Sequence, residues 1–184
     1  MARVLAVSGS LRRGSHNTRL LEAASALAPQ GVEVVLLEGL RDVPPYDEDL
    51  DGDLPPAAVR ALRAAVEGAD AVLFATPEYN ASVPGQLKNA IDWLSRPRLT
   101  SALWGRPAAV VGASTGRFGA IWAQEELRKI LRTAGARAVD GGVAVAAAGG
   151  AFTPDGRLAD HAHAEEMRAL LGRLVAEARV PAAA

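Results

Sequence analysis

The chain has 184 residues, no cysteine and a formal net charge of −1. That length suits one compact domain, and the charge gives no bulk attraction to nucleic acid or to an anionic membrane. Without thiols the chain has no disulfide, no iron–sulfur cluster, no thiolate zinc site and no cysteine nucleophile. With 49% hydrophobic and 22% charged residues, the composition is that of an ordinary globular protein with a full core. Of the 20 basic residues only Lys88 and Lys129 are lysine, so any single Arg is weaker evidence for an anion site than usual. No run is long and apolar enough to span a membrane, and Met1-Ala-Arg-Val4 leads directly into a strand pattern. The sequence therefore predicts a cytoplasmic protein with no membrane or nucleic-acid partner.

Strand-length apolar runs alternate with helical patterns along the chain. Val4–Val7 predicts a buried strand that stops at Ser8-Gly-Ser10, and Leu20, Leu21, Ala24 and Leu27 then recur at helical spacing. Val32–Leu37 predicts a second strand. Residues 38–56, rich in Pro and Asp, predict a solvated loop, in which Asp47, Glu48, Asp49, Asp51 and Asp53 lack the spacing of a calcium loop. Val59, Leu62 and Val66 mark a helix, Ala71–Ala75 a third strand, and Leu87, Ala90, Ile91 and Leu94 another helix. Ala108–Ala113 predicts a fourth strand, and Leu127, Ile130, Leu131 and Ala134 a helix. Ala136–Val145 predicts a fifth strand, interrupted at Gly141-Gly142, and Met167 to Ala178 the last helix. The expected architecture is α/β, one domain over residues 1–180, with a five-stranded parallel sheet covered by helices on both faces and a frayed tail at 181–184.

Sheets of this kind bind ligands at the carboxyl ends of their strands. The loops predicted there are also the most unusual pieces of the sequence. Ser8–Asn17 follows a strand and opens a helix, so backbone N–H groups and the positive helix end converge. Ser10, Ser15, Asn17 and Thr18 add hydroxyl and amide groups, Arg12 adds a charged donor, and His16 lies inside the loop. A phosphate monoester would be well satisfied there; the competing reading is a polar turn with Asn17 as the helix N-cap. The loop lacks the Gly-Lys-Ser/Thr ending of a nucleoside-triphosphate loop and the Gly-x-Gly-x-x-Gly of a dinucleotide fold. Thr76–Gly85 is stiffened by two prolines, offers fixed backbone groups to a planar polar ring, and carries Tyr79 as an aromatic wall. No nucleophile–base pair stands out, so no catalytic side chain is assigned. His161 and His163, two apart in a helix, make a poor metal pair.

The residues of these loops resemble the NADPH-dependent FMN reductase family, the flavodoxin-like group that includes chromate, quinone and azo-dye reductases. Gly9-Ser-Leu-Arg12…Ser15-x-Asn17 is similar to the family's phosphate loop. Pro77-Glu-Tyr-Asn80…Pro84-Gly-x-Leu-Lys-Asn-Ala-Ile-Asp-Trp-Leu-Ser-Arg96 is similar to its flavin-ring motif, and Gly112-Ala-Ser-x-Gly116…Gln124…Leu127-Arg128 to its third loop. The resemblance runs from about residue 3 to about residue 135. It implies a flavodoxin-like fold with Ser10, Arg12, Ser15 and Asn17 on the ribityl phosphate, and Pro77, Glu78, Tyr79 and Asn80 bordering the isoalloxazine ring. Ser114, in the loop that includes Gly116, is expected against the ring or ribityl chain. It also implies FMN as cofactor, NADPH or NADH as hydride donor, a quinone, azo compound, chromate or similar small acceptor, and a homodimer or a tetramer. Two positions depart from the family: Ala81 stands where many relatives have an aromatic residue, and Trp122 where relatives often have Arg. The second departure puts in doubt a tetramer held by a charged pair. An electron-carrying flavodoxin and a non-catalytic flavin sensor remain as alternatives, the carrier disfavoured because such proteins are usually strongly acidic.

Overall fold

The computed structural model describes residues 1–181. Most of the tail assigned above to fraying, residues 182–184, lies outside the described residues. The elements run β1 (Ala2–Ser8), α1 (His16–Ala26), β2 (Val32–Leu36), α2 (Ala57–Glu67), β3 (Ala71–Ala75), α3 (Gly85–Leu94), β4 (Pro107–Ala113), α4 (Ile121–Thr133), β5 (Arg137–Ala138), β6 (Ala144–Val145) and α5 (His161–Ala178). The strands lie in the order β2-β1-β3-β4-β5, all parallel, with β6 also pairing with β4.

Strict alternation of side chains divides the core in two. Leu5, Val7, Val72, Phe74, Ala108 and Val110 point to one face and pack with α2, α3 and α4. Val4, Ala6, Ala71, Leu73, Ala109 and Val111 point to the other and pack with α1 and α5. A strand buried on both faces must be apolar at every position, which is why β3 reads Ala-Val-Leu-Phe-Ala without a polar residue.

The last expected strand is divided. Pro107↔Arg137 and Ala108↔Ala138 pair at one end of β4, Gly112↔Ala144 and Ala113↔Val145 at the other. Between them six steps of chain lie opposite four on β4, so the excess bulges out at Gly141-Gly142. Gly142 is pressed against the sheet there: a Cβ on it would stand 2.6 Å from Gln124 Oε1 and 2.8 Å from the Val110 carbonyl oxygen.

The acidic segment is a loop with Asp47, Glu48, Asp49 and Asp53 exposed, as the sequence predicts, but it is more firmly organised than expected and Asp51 is not in solvent. Two short 3-10 turns, Leu40–Asp42 and Glu48–Leu50, organise it, and Asp51 forms a largely buried ion pair with Arg63 at 2.7 Å. Arg41 also donates to the Leu11 carbonyl of the first loop (2.7 Å), Arg60 of α2 donates to the Pro55 carbonyl (2.6 Å), and further fastenings come from α3. Gln86 Nε2 donates to the carbonyls of Leu40 (2.7 Å) and Val43 (2.9 Å). Asn89 Nδ2 and Trp93 Nε1 both donate to the Pro44 carbonyl at 2.8 Å. Trp93 is fully buried, edge to face with Tyr46 at 4.9 Å between ring centres.

Candidate functional site

Because β1, β3 and β4 are neighbours in the sheet, the loops leaving their carboxyl ends stand side by side on one rim. The order in which strands are added reverses about the β1–β3 pair, β1 leading outward to β2 and β3 toward β4, and such a switch point opens a crevice. A cleft of about 240 Å³ lies there, lined by Ser10, Arg12, Ser15, His16, Asn17, Pro77, Glu78, Tyr79, Ala113, Ser114 and Thr115. Three residues expected in the site, Thr18, Asn80 and Gly116, are not among the lining residues. Ala113 and Thr115, which sequence reasoning missed, are.

In the first loop the helix N-cap is Ser15, not Asn17. Ser15 Oγ accepts from the N–H groups of Asn17 (3.1 Å) and Thr18 (3.3 Å). Those two backbone donors are thus used within the helix end, and Ser15 keeps its own O–H proton to give away. Thr18 turns to Ser8, with 2.9 Å between the hydroxyl oxygens, so it fastens the loop rather than facing the cleft. Asn17 is buried and makes a two-bond pair with the Ala113 backbone, Nδ2 donating to the carbonyl and Oδ1 accepting from the N–H, both at 3.0 Å. The side-chain amide imitates a strand peptide and locks the first loop to the end of β4. One of its two N–H bonds is left for another acceptor.

The second loop is a two-residue hairpin. Tyr79 and Ser82 exchange both backbone bonds (3.0 and 3.1 Å), and Asn80 and Ala81 between them have φ of 53° and 59°. Positive φ at both central positions is the I′ pattern, which Asn accepts readily and Ala poorly. The turn carries Asn80 away from the cleft and leaves Tyr79 half-exposed. Glu78 reaches the first turn of α4: its Oε2 accepts from the Ala123 N–H at 3.2 Å. The α4 N-cap, Ala120, has no side-chain bond of its own, so the Glu78 carboxylate caps that helix from outside and spends its negative charge there.

The third loop is braced by a segment that sequence reasoning left generic. Ala147 N–H donates to the Gly116 carbonyl and Ala148 N–H to the Ser114 carbonyl, each at 3.0 Å. Gly119 (φ +58°) runs so close to β6 that a Cβ would stand 2.5 Å from the Ala144 carbonyl carbon. Phe152, a few residues on, lies parallel to the His16 ring at 6.3 Å between centres, and Arg19 sits 4.5 Å from the centre of the Phe152 ring. The only sequence signal for this was a lone Phe after a Gly-Gly pair.

The electrostatics of the cleft favour an anion. Arg12 is exposed and forms no ion pair among the described residues. His16 is held below the usual histidine pKa by burial first, then by the nearby guanidinium groups of Arg12 and Arg19. Its Nδ1 is buried without a hydrogen-bond partner, an unmet polar atom in the wall of the cleft. Hydroxyls of Ser10 and Ser15, one guanidinium and an unsatisfied imidazole suit a phosphate monoester, and the rigid Pro77–Tyr79 backbone suits a planar ring. The donor set therefore fits FMN. A larger groove of about 350 Å³ runs between α3 and α4, lined by Lys88, Arg96, Trp104 and Lys129 among others. It lies toward the helix ends remote from the three loops and lacks their converging backbone donors. No group of three His, Asp or Glu residues is placed to hold a metal ion among the described residues, and no described helix is long and apolar enough to cross a membrane.

Comparison with known proteins agrees with this geometry. Residues 2–150 match the NADPH-dependent FMN reductase family. The chain is 45% identical over 159 residues to an NAD(P)H-dependent FMN reductase of Pseudomonas aeruginosa, covering 86% of this chain and 85% of that protein. It is 45% identical over 128 residues to a quinone reductase of Pseudomonas putida, covering 70% and 68% of the two chains. The flavoenzyme NAD(P)H:(acceptor) oxidoreductase FerB from Paracoccus denitrificans superposes with a TM-score of 0.85 at 36% identity, over 97% of each chain.

Proposed function

Since the chain belongs to the NADPH-dependent FMN reductase family, we propose that it is an FMN-dependent NAD(P)H oxidoreductase delivering electrons to a quinone or similar small acceptor. The observation that carries this reading is the convergence of three loops from adjacent strands on a cleft with anion donors at one end and a proline-stiffened hairpin at the other. When bound, FMN would supply the redox chemistry that links the nicotinamide donor to the acceptor. The chain's own part is to bind and orient. Ser10, Arg12 and Ser15 hold the phosphate, and His16 Nδ1 gains the partner it lacks. Asn17 keeps the first and third loops in register through Ala113. Pro77, Glu78 and Tyr79 border the ring, and Ser114 meets it from the third loop. The Glu78 carboxylate, the one acidic side chain lining the cleft, is turned to the N-terminal turn of α4, where the helix dipole offsets part of its charge.

The homodimer implied by the family resemblance belongs to the same proposal, as does residence in the cytoplasm, where reduced nicotinamides are available. Sizing alongside turnover tests the dimer: full activity in a monomeric fraction refutes it. The central test is spectroscopic. The purified protein is expected to be yellow, or to become so with added FMN, and to bleach rapidly with NADPH under anaerobic conditions. A coloured protein that ignores both nicotinamides is a carrier or sensor, and one that takes up no FMN refutes the cleft assignment. Arg12→Ala is expected to weaken FMN binding about tenfold or more, the scale of one charge-assisted bond, with little change in thermal stability.

A further inference from the structure

The first loop is firm at both ends and thinly held in the middle. Gly9 N–H donates to the Ala75 carbonyl at 2.8 Å, and Ser15 and Asn17 make the bonds already described. Between them Leu11, Arg12, Arg13 and Gly14 are all exposed. Among the described residues the backbone of this apex makes two hydrogen bonds. Arg12 N–H reaches Ser10 Oγ at a long 3.4 Å, and the Leu11 carbonyl accepts from Arg41 Nη2 at 2.7 Å. Arg41 is thus the tether that reaches the apex from outside the loop.

The tether itself is rigidly mounted. Arg41 is the middle residue of the 3-10 turn Leu40–Asp42. Leu40 and Val43 are buried in the core, and Gln86 of α3 holds both of their carbonyls. Arg41 is exposed and makes no ion pair among the described residues, so no carboxylate draws its guanidinium from the Leu11 carbonyl. The helix that continues the ring hairpin therefore reaches the phosphate loop through residues 40–43.

What this bond sets is the sense of one peptide. A trans peptide is planar, and its C=O and N–H point in opposite directions. With the Leu11 C=O turned out to Arg41, the Arg12 N–H is turned back toward Ser10, which lines the cleft. The reverse setting would aim a carbonyl oxygen at the place where an anion is to sit, and repel it. An exposed peptide with no other strong bond has little else to choose between the two. We propose that Arg41 is a positioning residue for the cofactor phosphate, holding the Leu11–Arg12 peptide with its carbonyl outward and its N–H toward the anion. The proposal rests on the flavin-reductase reading above and deepens its phosphate site.

The test compares FMN with riboflavin, which has the same ring and ribityl chain but no phosphate, by flavin-fluorescence titration of the apo protein. Arg41→Ala is expected to weaken FMN about fivefold, the scale of one net hydrogen bond, and riboflavin less than about twofold. Arg41→Lys, which keeps a charged donor, should recover most of the FMN affinity. The Tm of apo Arg41→Ala should stay close to the parent's, because the side chain is exposed. Amide NMR reads the peptide itself. In the parent, inorganic phosphate should move the Arg12 N–H proton downfield, and in Arg41→Ala that shift should largely disappear. Equal losses for FMN and riboflavin, or no loss for either, overturn the proposal. So does a fall in FMN affinity with the Arg12 shift unchanged, which would put Arg41 on the phosphate directly. A parent protein that binds FMN no more tightly than riboflavin refutes the phosphate site itself, and is told apart because the fault then precedes any substitution.

Discussion

The stretch from Pro77 to Arg96 looks like one motif in the sequence, yet its two halves do different work. The hairpin Pro77–Ser82 is largely exposed and presents backbone and Tyr79 to the cleft. The helix that follows turns Gln86, Asn89 and Trp93 away from the cleft and uses them to fasten residues 40–46. A site loop needs fixed but uncovered polar groups, whereas a fastening helix needs every polar group satisfied by the protein itself. Sequence similarity marks both halves, and only the contacts distinguish a ligand-facing residue from a supporting one.

Substitutions can break that contrast. Trp93→Ala should have the largest effect, about 4 kcal/mol of stability by denaturant titration, since it opens a cavity and leaves the Pro44 carbonyl with one donor fewer. A loss under about 1 kcal/mol would mean that the 40–46 segment is not anchored there. Asn17→Ala should cost about 2 kcal/mol and also weaken FMN binding, because the Ala113 N–H and C=O both lose their partner in a buried place. If stability falls while FMN affinity stays unchanged, the link between the loops does not shape the cleft. In the hairpin the sign reverses. Ala81→Gly should stabilise by about 1 kcal/mol by relieving a left-handed alanine, visible as a raised Tm.

The smallest effect is the pH dependence of His16. Its folded pKa is lowered from 6.5, so the native state disfavours the protonated ring. The apo protein should therefore lose stability as pH falls through 6.5 and below, where the unfolded chain binds the extra proton. FMN phosphate should oppose this, so the stability gained on FMN binding should grow over the same range. Denaturation of the parent and His16→Gln at pH 5.5 and 7.5 reads both; identical pH slopes would remove His16 from the account.

Much of the fold was legible because its causes are local. Runs such as Ala71–Ala75 are apolar at every position, and helix faces such as Val59, Leu62 and Val66 keep their spacing. The three site loops were legible for the same reason, being dense in Gly, Pro, Ser and Asn where strands end. Other features were hidden because their cause lies far away in the chain. Asn17 was expected on the phosphate and as a possible N-cap, but its side chain answers to Ala113, 96 residues on. Glu78 was expected at the ring edge; it does line the cleft, but its carboxylate serves α4. Asp51 was expected in solvent, but Arg63 from α2 claims it.

By itself the sequence determined the alternation of strands and helices, the apolar character of both sheet faces and the chemistry of the loops, since propensity and periodicity act over a few residues. Tertiary structure alone decided which polar side chains are free to meet a ligand and which are consumed in holding the loops. That choice depends on which hydrogen-bond partners the packed sheet brings within about 3 Å, and no local pattern encodes that distance.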